Sequence, residues 1–398
     1  MYAIPFFVLL MGVEYVYGRA RGRNTYRLAD TVNSLSLGTL SRLSGLVKLG
    51  VAGLVFEAVR GWTGMATLPA ESWAVWIVAF VGYDFCYYWS HRFGHEWKLF
   101  WASHVAHHQS EEFNLSTALR QTSTGNTFVF YVPLYLLGFP TEMIVTVGAL
   151  NLIYQFWVHT EHVPALGPLE WIFVTPSNHR VHHARNPGYL DRNYGGVFIV
   201  WDRLFGTYTP ERPEEPCVYG ITHPLASWNP LWANVHVWYE TARDTLRTRR
   251  LRDKVKLWFS SPGWRPDDLP PWEDDWRRPK YDPQTTPGAG PVVFVQYWIV
   301  TVAALALIVM AGDLPRTFVL TGVAVLGYSF FVQGAFLEGR RYAPALEGVR
   351  TVLVAAAAWF WHPLLGTPLT TVVMAYGAVS LLAALRVASP RSEPPALW

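Results

Sequence analysis

Residues 81–108 read VGYDFCYYWSHRFGHEWKLFWASHVAHH, an apolar run that leads directly into five histidines. The segment HRFGH has two histidines at i and i+4, and HVAHH has three at i, i+3 and i+4. On an α-helix these offsets bring side chains onto one face, close enough to share an ion. The stretch therefore predicts apolar helices whose polar ends present imidazoles.

Apolar runs of this kind recur along the chain. Crossing about 30 Å of hydrocarbon takes about 20 residues of helix, so long apolar runs predict membrane helices. The run 35–59 carries Arg42 and Lys48 and is expected to lie partly in the membrane interface. Together the runs predict an all-α, multi-pass helical membrane protein. The predicted helical runs are 2–17, 35–59, 73–89, 128–139, 143–158, 292–311, 318–337, 349–361 and 369–385.

Composition supports a membrane protein and excludes several other classes. Charged residues make up 15% of the chain, against roughly 25% in soluble domains, and aromatic residues make up 16%. The formal net charge is only +3 and no long basic run is present, which excludes a nucleic-acid partner. Two cysteines, Cys86 and Cys217, are too few for a disulfide framework.

The distribution of charge divides the chain into four predicted segments. Of its 32 basic and 29 acidic residues, 16 of each lie between residues 160 and 290, which are therefore expected to lie mostly outside the bilayer. We predict N-terminal membrane helices over 1–70, a catalytic domain with histidine-rich loops over 71–259, a Pro- and Trp-rich linker over 260–291, and C-terminal membrane helices over 292–398.

Arginines near the ends of the apolar runs predict the orientation, because short basic loops face the cytoplasm. The segment 61–70 carries no charge, and counting helices from it places the histidines on the basic, cytoplasmic side. Arginine outnumbers lysine 27 to 5, which is typical of a GC-rich bacterial genome and favours the inner membrane; a eukaryotic chain would lie in the endoplasmic reticulum. The arginines that set this orientation are Arg19, Arg21, Arg23, Arg27, Arg340, Arg341, Arg386 and Arg391.

Histidine is strongly clustered. Ten of the 13 histidines fall in residues 91–108, 159–162 and 179–183, and the last window repeats the triple spacing as HRVHH. A zinc site takes three or four protein ligands, whereas two ions with open positions need about eight to ten, and imidazole also suits iron. The cluster therefore predicts a dinuclear iron site that activates dioxygen. The candidate ligands are His91, His95, His104, His107, His108, His159, His179, His182 and His183, with His162 as a weaker tenth candidate.

Three acidic residues are predicted to orient these ligands, because a ligating histidine passes its second N–H to a carboxylate or a carbonyl. Asp84 precedes His91 by seven residues on the same helix face, inside an apolar run where an acid is costly unless paired. Glu96 and Glu161 adjoin candidate ligands directly. The isolated histidines are expected to be ordinary polar side chains: His223, His236 and His362.

Residues 81–224 resemble the fatty acid hydroxylase and sterol desaturase superfamily of membrane di-iron enzymes, and within it the alkylglycerol monooxygenase branch. The likeness rests on one HxxxH box and two HxxHH boxes, and on longer segments around them. These segments are DFCYYWSHRFGHE, WASHVAHHQSEEFNLSTALRQ, QFWVHTEH, LGPLEWIFVTPSNHRVHHARN, YLDRNYGGVFIVWDRLFGTY and YGITHPL. Carried over residue by residue, the resemblance implies nine of the ten histidines as metal ligands and leaves out His162, which stands where the branch is expected to carry an apolar residue.

The resemblance also implies an activity and its partners. Members of the branch use two iron ions, dioxygen and tetrahydrobiopterin to hydroxylate the carbon next to an ether oxygen, and the product breaks down to a fatty aldehyde and a glycerol derivative. The spacing assigns no residue to the pterin. Candidates near the boxes are Glu161, Trp97, Trp101 and Trp171, although interfacial anchoring also accounts for the tryptophans.

Two alternatives remain open at this point. Another enzyme of the same superfamily would hydroxylate or desaturate an acyl chain, a sterol or an amino lipid with electrons from ferredoxin or cytochrome. A metal transporter or sensor with histidine-rich loops would instead need ionisable residues at the membrane midplane. The predicted helices hold few of these beyond Asp84, Arg42 and Lys48, which favours the oxidase.

Overall fold

The computed structural model describes residues 3–48, 51–64, 66–125, 127–272, 275–285 and 287–387. Over these residues the chain is helical, which confirms the predicted all-α class. Two short 3₁₀ helices cover Phe128–Tyr131 and Gly167–Trp171, and isolated bridges pair Phe173 with Phe198 and Ala184 with Tyr219. The α-helices are α1 (Ile4–Ala20), α2 (Leu28–Val47), α3 (Val51–Thr63), α4 (Trp73–Glu96), α5 (Lys98–His108), α6 (Leu115–Ala118), α7 (Val132–Leu136), α8 (Thr141–Trp157), α9 (Pro176–His182), α10 (Val200–Phe205), α11 (Pro230–Arg247), α12 (Leu251–Phe259), α13 (Ala289–Met310), α14 (Arg316–Leu337), α15 (Ala343–Phe360) and α16 (His362–Arg386).

Four of these helices are long and apolar enough to cross a membrane. They are α13, α14, α15 and α16, with 22, 22, 18 and 25 residues. Each contains one of the apolar runs predicted in the last third of the chain. The runs 292–311 and 349–361 extend one residue beyond the ends of α13 and α15. The predicted C-terminal membrane helices are thus confirmed in length and composition.

Two of the predicted apolar helices are wrong. The run 128–139 forms a 3₁₀ turn followed by the five-residue α7, which starts next to Pro133 and stops before Gly138, where φ is +86°. The run 35–59 is divided between α2 and α3, because the backbone at Lys48 is extended and ends α2. Proline and a left-handed glycine interrupt helical hydrogen bonding even where hydropathy is high.

The chain forms two units. The first comprises 1–26, 49–225 and 235–278, and it contains every clustered histidine; the second comprises 27–48, 226–234 and 279–398. The first unit therefore takes α1 and α3 from the predicted 1–70 segment, whereas α2 belongs to the unit of the C-terminal helices. The predicted segments are continuous in sequence, whereas the two units are not, so the segment boundaries at residues 70, 259 and 291 stay a prediction.

Within the first unit, α4 and α8 pack closely; α4 carries His91 and His95 to the site, and His159 follows α8 directly. A Cβ at Gly148 of α8 would lie 2.7 Å from the hydroxyl oxygen of Tyr83, so glycine permits the close approach. An apolar core surrounds this contact, and it includes Ala79, Cys86, Leu134, Met143 and Val147.

The second unit contains a buried ion pair within a candidate membrane helix. Glu347 and Arg350 of α15 lie 2.5 Å apart, and both also hydrogen-bond to the Ser380 hydroxyl of α16. Pairing makes such charges tolerable inside a membrane protein. Arg350 lies inside the predicted run 349–361, but its partner Glu347 lies before that run, so the hydropathy pattern did not indicate the pair.

Candidate metal centre

Nine histidines from four parts of the first unit converge on one buried site. The C-terminal end of α4 supplies His91 and His95, and α5 supplies the three histidines of HVAHH. His159 follows α8 directly, and α9 with its C-cap supplies the histidines of HRVHH. Each short helix presents its histidines on one face, as the spacing predicts.

The nine imidazoles separate into two groups, and in each group the candidate ligand atoms lie within 4.8 Å of one another. Each of the nine carried-over candidates falls in a group. The first group is His91, His95, His104, His108 and His182, and the second is His107, His159, His179 and His183.

Distances within each group match the edges of a metal coordination shell. In the first group, the Nε2 atom of His108 lies 3.2 Å from that of His95 and 2.9 Å from that of His104. In the second group, His159 Nε2 lies 3.3 Å from His107 Nε2 and 2.9 Å from His179 Nε2. Nitrogens bound at about 2.0–2.1 Å to one ion stand about 2.9–3.4 Å apart in octahedral or tetrahedral geometry.

Backbone carbonyls fix which ring nitrogen faces the site. A carbonyl oxygen only accepts, so each Nδ1 atom beside one must be the donor. The Nδ1–H of His107 donates to Arg120 O at 2.9 Å, and that of His159 donates to Gln155 O at 2.7 Å. The corresponding pairs in the first group are His91 with Tyr194 O at 2.7 Å and His182 with Arg192 O at 2.9 Å.

This arrangement calls for a cation. A neutral imidazole has one N–H, and His107 and His159 both give theirs to carbonyls. Their Nε2 atoms therefore face each other at 3.3 Å with a lone pair each, a repulsive contact unless a positive charge lies between them. The Nε2 atoms of His91 and His182 are also buried and have no hydrogen-bond partner within the described ranges. The donor set thus fits metal ions.

The electrostatics of the site favour neutral, ligating imidazoles. Burial lowers the pKa of His107 to about 4, and burial together with neighbouring imidazoles lowers the pKa of His108 and His183 well below the usual range. A neutral imidazole is the form that binds a metal ion.

Asp84 holds the site through the backbone rather than through a histidine. Its carboxylate accepts hydrogen bonds from the N–H groups of Val197 and Phe198 at 2.8 and 3.0 Å, from Asn151 Nδ2 at 2.7 Å and from Trp201 Nε1 at 3.0 Å. Asp84 therefore ties α4 to α8 and to the segment 194–201, which provides the carbonyl partner of His91. None of these four contacts is with a histidine, and the predicted hydrogen bond between Asp84 and a ligating histidine stays a prediction.

Glu96 and Glu161 point to arginines. Glu96 pairs with Arg92 at 2.8 Å, one helical turn earlier, and Glu161 pairs with Arg23 at 3.1 Å. His162 lies in neither histidine group, and its ring packs edge-on against Tyr17 with a centroid separation of 5.2 Å. The ligand role of His162 thus has no support in the geometry.

Asp202, which was not among the residues predicted from the sequence, organises the same segment as Asp84. The Asp202 carboxylate accepts from the N–H groups of Tyr194 and Gly195 at 2.7 and 2.8 Å, and from the Thr207 hydroxyl at 2.7 Å. It thereby fixes the Tyr194 residue whose carbonyl accepts the hydrogen bond from His91 Nδ1–H. The acid in the WDRLFGT segment was a possible signal, although its spacing from other residues does not show which backbone N–H groups bind its carboxylate.

Glu14 of α1 is a second missed residue. It is 7% exposed and accepts hydrogen bonds from the Tyr26 hydroxyl, the Thr160 hydroxyl and the Leu115 N–H at 2.5, 2.5 and 2.8 Å. Thr160 directly follows the candidate ligand His159. An acid within an N-terminal apolar run was the available signal.

A cavity of about 310 Å³ with a mixed polar and apolar lining opens onto His95, His108 and His182 of the first histidine group and onto His183 of the second. Burial raises the pKa of Glu240 to about 7 and lowers the pKa of Lys98 to about 8. Of the tryptophans near the boxes, Trp101 lines this cavity, whereas Trp171 is 65% exposed. The cavity is lined by His95, His108, His182, Lys98, Glu240 and Asp244, among others.

Comparison with known proteins identifies the family. The model of the family described as fatty acid hydroxylase matches residues 76–207. An alkylglycerol monooxygenase of Danio rerio is 36% identical over 364 residues, covering 88% of this chain and 80% of the relative. The Homo sapiens alkylglycerol monooxygenase is 42% identical over 271 residues, covering 66% of this chain and 59% of the relative.

More distant relatives belong to the same superfamily. An ornithine lipid hydroxylase of Rhizobium tropici is 32% identical over 152 residues, covering 36% of this chain and 44% of the relative. No solved structure matches the chain significantly. Because the chain matches a curated relative above 30% identity over four-fifths of that relative's length, and the matched region holds both histidine groups, it belongs to the alkylglycerol monooxygenase family of the fatty acid hydroxylase superfamily.

Proposed function

We propose that the protein is an iron-dependent membrane monooxygenase that cleaves the ether bond of an alkylglycerol. The observation that carries the metal chemistry is the facing pair of Nε2 atoms on His107 and His159, whose protons are both committed to carbonyls. The ether-lipid substrate is supported by relatives that are named alkylglycerol monooxygenase. We place one iron ion in each histidine group, because each group offers four or five imidazoles.

The reaction is a hydroxylation followed by spontaneous cleavage. One oxygen atom of dioxygen enters the C–H bond next to the ether oxygen, while two electrons and two protons reduce the other atom to water. The resulting hemiacetal loses its C–O bond as the hydroxyl proton moves to the ether oxygen, which gives a fatty aldehyde and a free glycerol hydroxyl. Bound iron supplies the activation of dioxygen.

The protein's own groups orient the imidazoles and give electrons and protons a route to the site. Carbonyls of Tyr194, Arg120, Gln155 and Arg192 lock four imidazoles with Nε2 facing inward. The cavity next to His95 is lined in part by the charged side chains of Lys98 and Glu240 and gives a soluble electron donor a route to the centre, and we propose reduced tetrahydrobiopterin as that donor. Because Glu240 and Lys98 have pKa values of about 7 and 8, both can exchange protons with water in the cavity near neutral pH.

The protein is an integral membrane protein, and we propose that its histidine site faces the cytoplasm. The basic loops around the apolar runs support this orientation. A cytoplasmic site lies on the side where reduced soluble donors are available.

The test is aldehyde release by the purified, iron-loaded protein given an alkylglycerol and tetrahydrobiopterin. We expect fatty aldehyde only when lipid, dioxygen and pterin are all present, with no product from His182→Ala and full product from the matched control His362→Ala. The similarity to an ornithine lipid hydroxylase favours a second candidate, hydroxylation of another lipid. An intact hydroxylated lipid made with reduced ferredoxin, and no aldehyde with the pterin, would replace the ether-cleavage assignment by this second candidate.

A further inference from the structure

The outer faces of α11 and α12 carry an exposed apolar stripe. Along α12 its members stand at i, i+4 and i+8, and along α11 they keep the same helical face. Leu246 is 81% exposed and Leu251 is 79% exposed. The informative feature is the row of exposed apolar side chains on both helices rather than any single leucine. We define the α11–α12 stripe as Val235, Tyr239, Leu246, Leu251, Val255 and Phe259.

The orientation of both helices is fixed by their opposite, buried faces. On α11, Asp244 is 1% exposed and its carboxylate pairs with the Arg265 guanidinium at 3.0 Å. On α12, Leu257 is fully buried and the Lys254 ammonium donates to the Thr245 carbonyl at 2.6 Å. The stripe therefore faces outward because the opposite face of each helix is buried.

Basic residues border the stripe. Residues 243–256 contain seven arginines and lysines and two aspartates, and both aspartates are buried. Arg247, Arg249 and Arg252 are exposed. Two further acids, Asp267 and Asp268, lie against the turn between the helices, where Asp268 accepts the Arg249 N–H at 2.9 Å. The border therefore remains positive.

We propose that the α11–α12 stripe lies on an anionic membrane surface. Apolar side chains flanked by basic residues on one helix face are the pattern of helices that lie in the membrane interface, and each basic residue there contributes about 1 kcal/mol of attraction to anionic lipid. Charge complementarity selects this occupant over a second copy of the chain, because two copies joined through the stripe would bring two basic borders together.

The same helices form a wall of the cavity beside the histidines. Val237 and Glu240 of α11 line the cavity, as do residues 261–263 after α12, and the Ser260 carbonyl accepts the Lys98 N–H at 2.9 Å. A membrane contact through the stripe would hold this wall at the level of the lipid head groups. The proposal rests on exposure and charge alone and stands whether or not the ether-cleavage assignment is correct.

The test measures the depth of a fluorescent label on the full chain in nanodiscs. The label is attached to Val255→Cys in a chain with Cys86→Ala and Cys217→Ser, and the control label is attached to Glu214→Cys, which is exposed and lies far from the stripe in sequence. In nanodiscs with anionic lipid, we expect nitroxide lipids to quench the label at 255 and aqueous iodide to spare it, with the reverse at 214. Replacing Arg247, Arg249 and Arg252 by Gln should weaken the contact, by about fivefold per removed charge.

The alternatives give different results. Equal iodide quenching at 255 and 214 would overturn the proposal. Protection from iodide without lipid quenching, found only in discs that hold two chains, would show that a second copy covers the stripe and would also overturn it. Lipid quenching at 255 that is the same in neutral and anionic nanodiscs would refute the anionic preference.

Discussion

The imidazole rings of His108 and His183 stack with their centroids 4.3 Å apart and their planes at 22°. His108 belongs to the first histidine group and His183 to the second, so the two groups meet at this pair of stacked rings. The two histidine groups are therefore in direct van der Waals contact. Two ions bound by the two groups would be neighbours in one centre rather than independent sites.

The first prediction is that the active protein holds about two iron ions per chain. His104→Ala affects only the first group and His179→Ala only the second, so each change is expected to lower the iron content towards about one ion per chain. His362→Ala, which changes a partly exposed histidine at the start of α16 outside both histidine groups, is the matched control and should keep both ions. Metal analysis of the purified variants measures this; a wild-type content of a single ion per chain would refute the two-site assignment.

The second prediction concerns Asp84. In Asp84→Asn one acceptor oxygen becomes a donor, which leaves some of the four hydrogens from Val197, Phe198, Asn151 and Trp201 without a partner. We expect the segment behind His91 to loosen, with activity or iron affinity lower by about 10- to 100-fold and the protein still folded. Iron titration and turnover measure the effect, and the exposed Glu142→Gln is the control. Full activity in Asp84→Asn would show that the network is dispensable.

The third prediction concerns Glu14. Its carboxylate accepts a hydrogen bond from Thr160, beside His159, and one from the Leu115 N–H. Glu14→Gln is expected to lose part of this network and to lower iron occupancy of the second group more than that of the first. Comparing metal content with His104→Ala and His179→Ala backgrounds assigns the loss to a group. An equal loss in both backgrounds would indicate general destabilisation instead.

The fourth prediction is an acid limit on the metal-free protein. The pKa of His107 is about 4 in the folded state against about 6.5 for a free histidine, because burial disfavours its charged form. Between pH 4 and pH 6.5 the unfolded chain therefore binds more protons at His107 than the folded chain does. The contribution of neutral His107 to the free energy of unfolding is fully present above pH 6.5 and is lost as the pH falls towards 4. Thermal unfolding of the iron-free protein in detergent should occur at lower temperature at pH 5 than at pH 7.5. The difference should shrink in His107→Gln, and an unchanged difference would exclude His107 as a contributor.

The fifth prediction is topological. A cysteine at Thr63, the last residue of α3, is expected to react with an impermeant reagent added outside intact cells, whereas one at Glu214 is expected to react only after permeabilisation. The chain with Cys86→Ala and Cys217→Ser provides the background. Labelling at Glu214 in intact cells would place the histidine side of the first unit outside the cytoplasm.

Much of the site could be predicted from the sequence, because helical spacing is a local property. The offsets i, i+3 and i+4 place imidazoles on one helix face whatever the rest of the chain does. HRFGH, HVAHH and HRVHH therefore identified eight of the nine convergent histidines before any tertiary contact was known, and HTEH supplied His159. Hydropathy likewise predicted the apolar C-terminal helices α13 to α16, since their composition alone meets the requirement for crossing a membrane.

Tertiary structure decided which histidines share an ion and what holds them. His107 and His108 are adjacent in sequence yet enter different groups, because successive residues on a helix point about 100° apart. The locking groups are carbonyls of Arg120, Gln155 and Tyr194, and every residue has a carbonyl, so side-chain identity gave no signal for them. Asp84 illustrates the same limit. Its position in an apolar helix required a partner, but that this partner would be the backbone of Val197 and Phe198, more than 100 residues away, depended on how the chain folds back on α4.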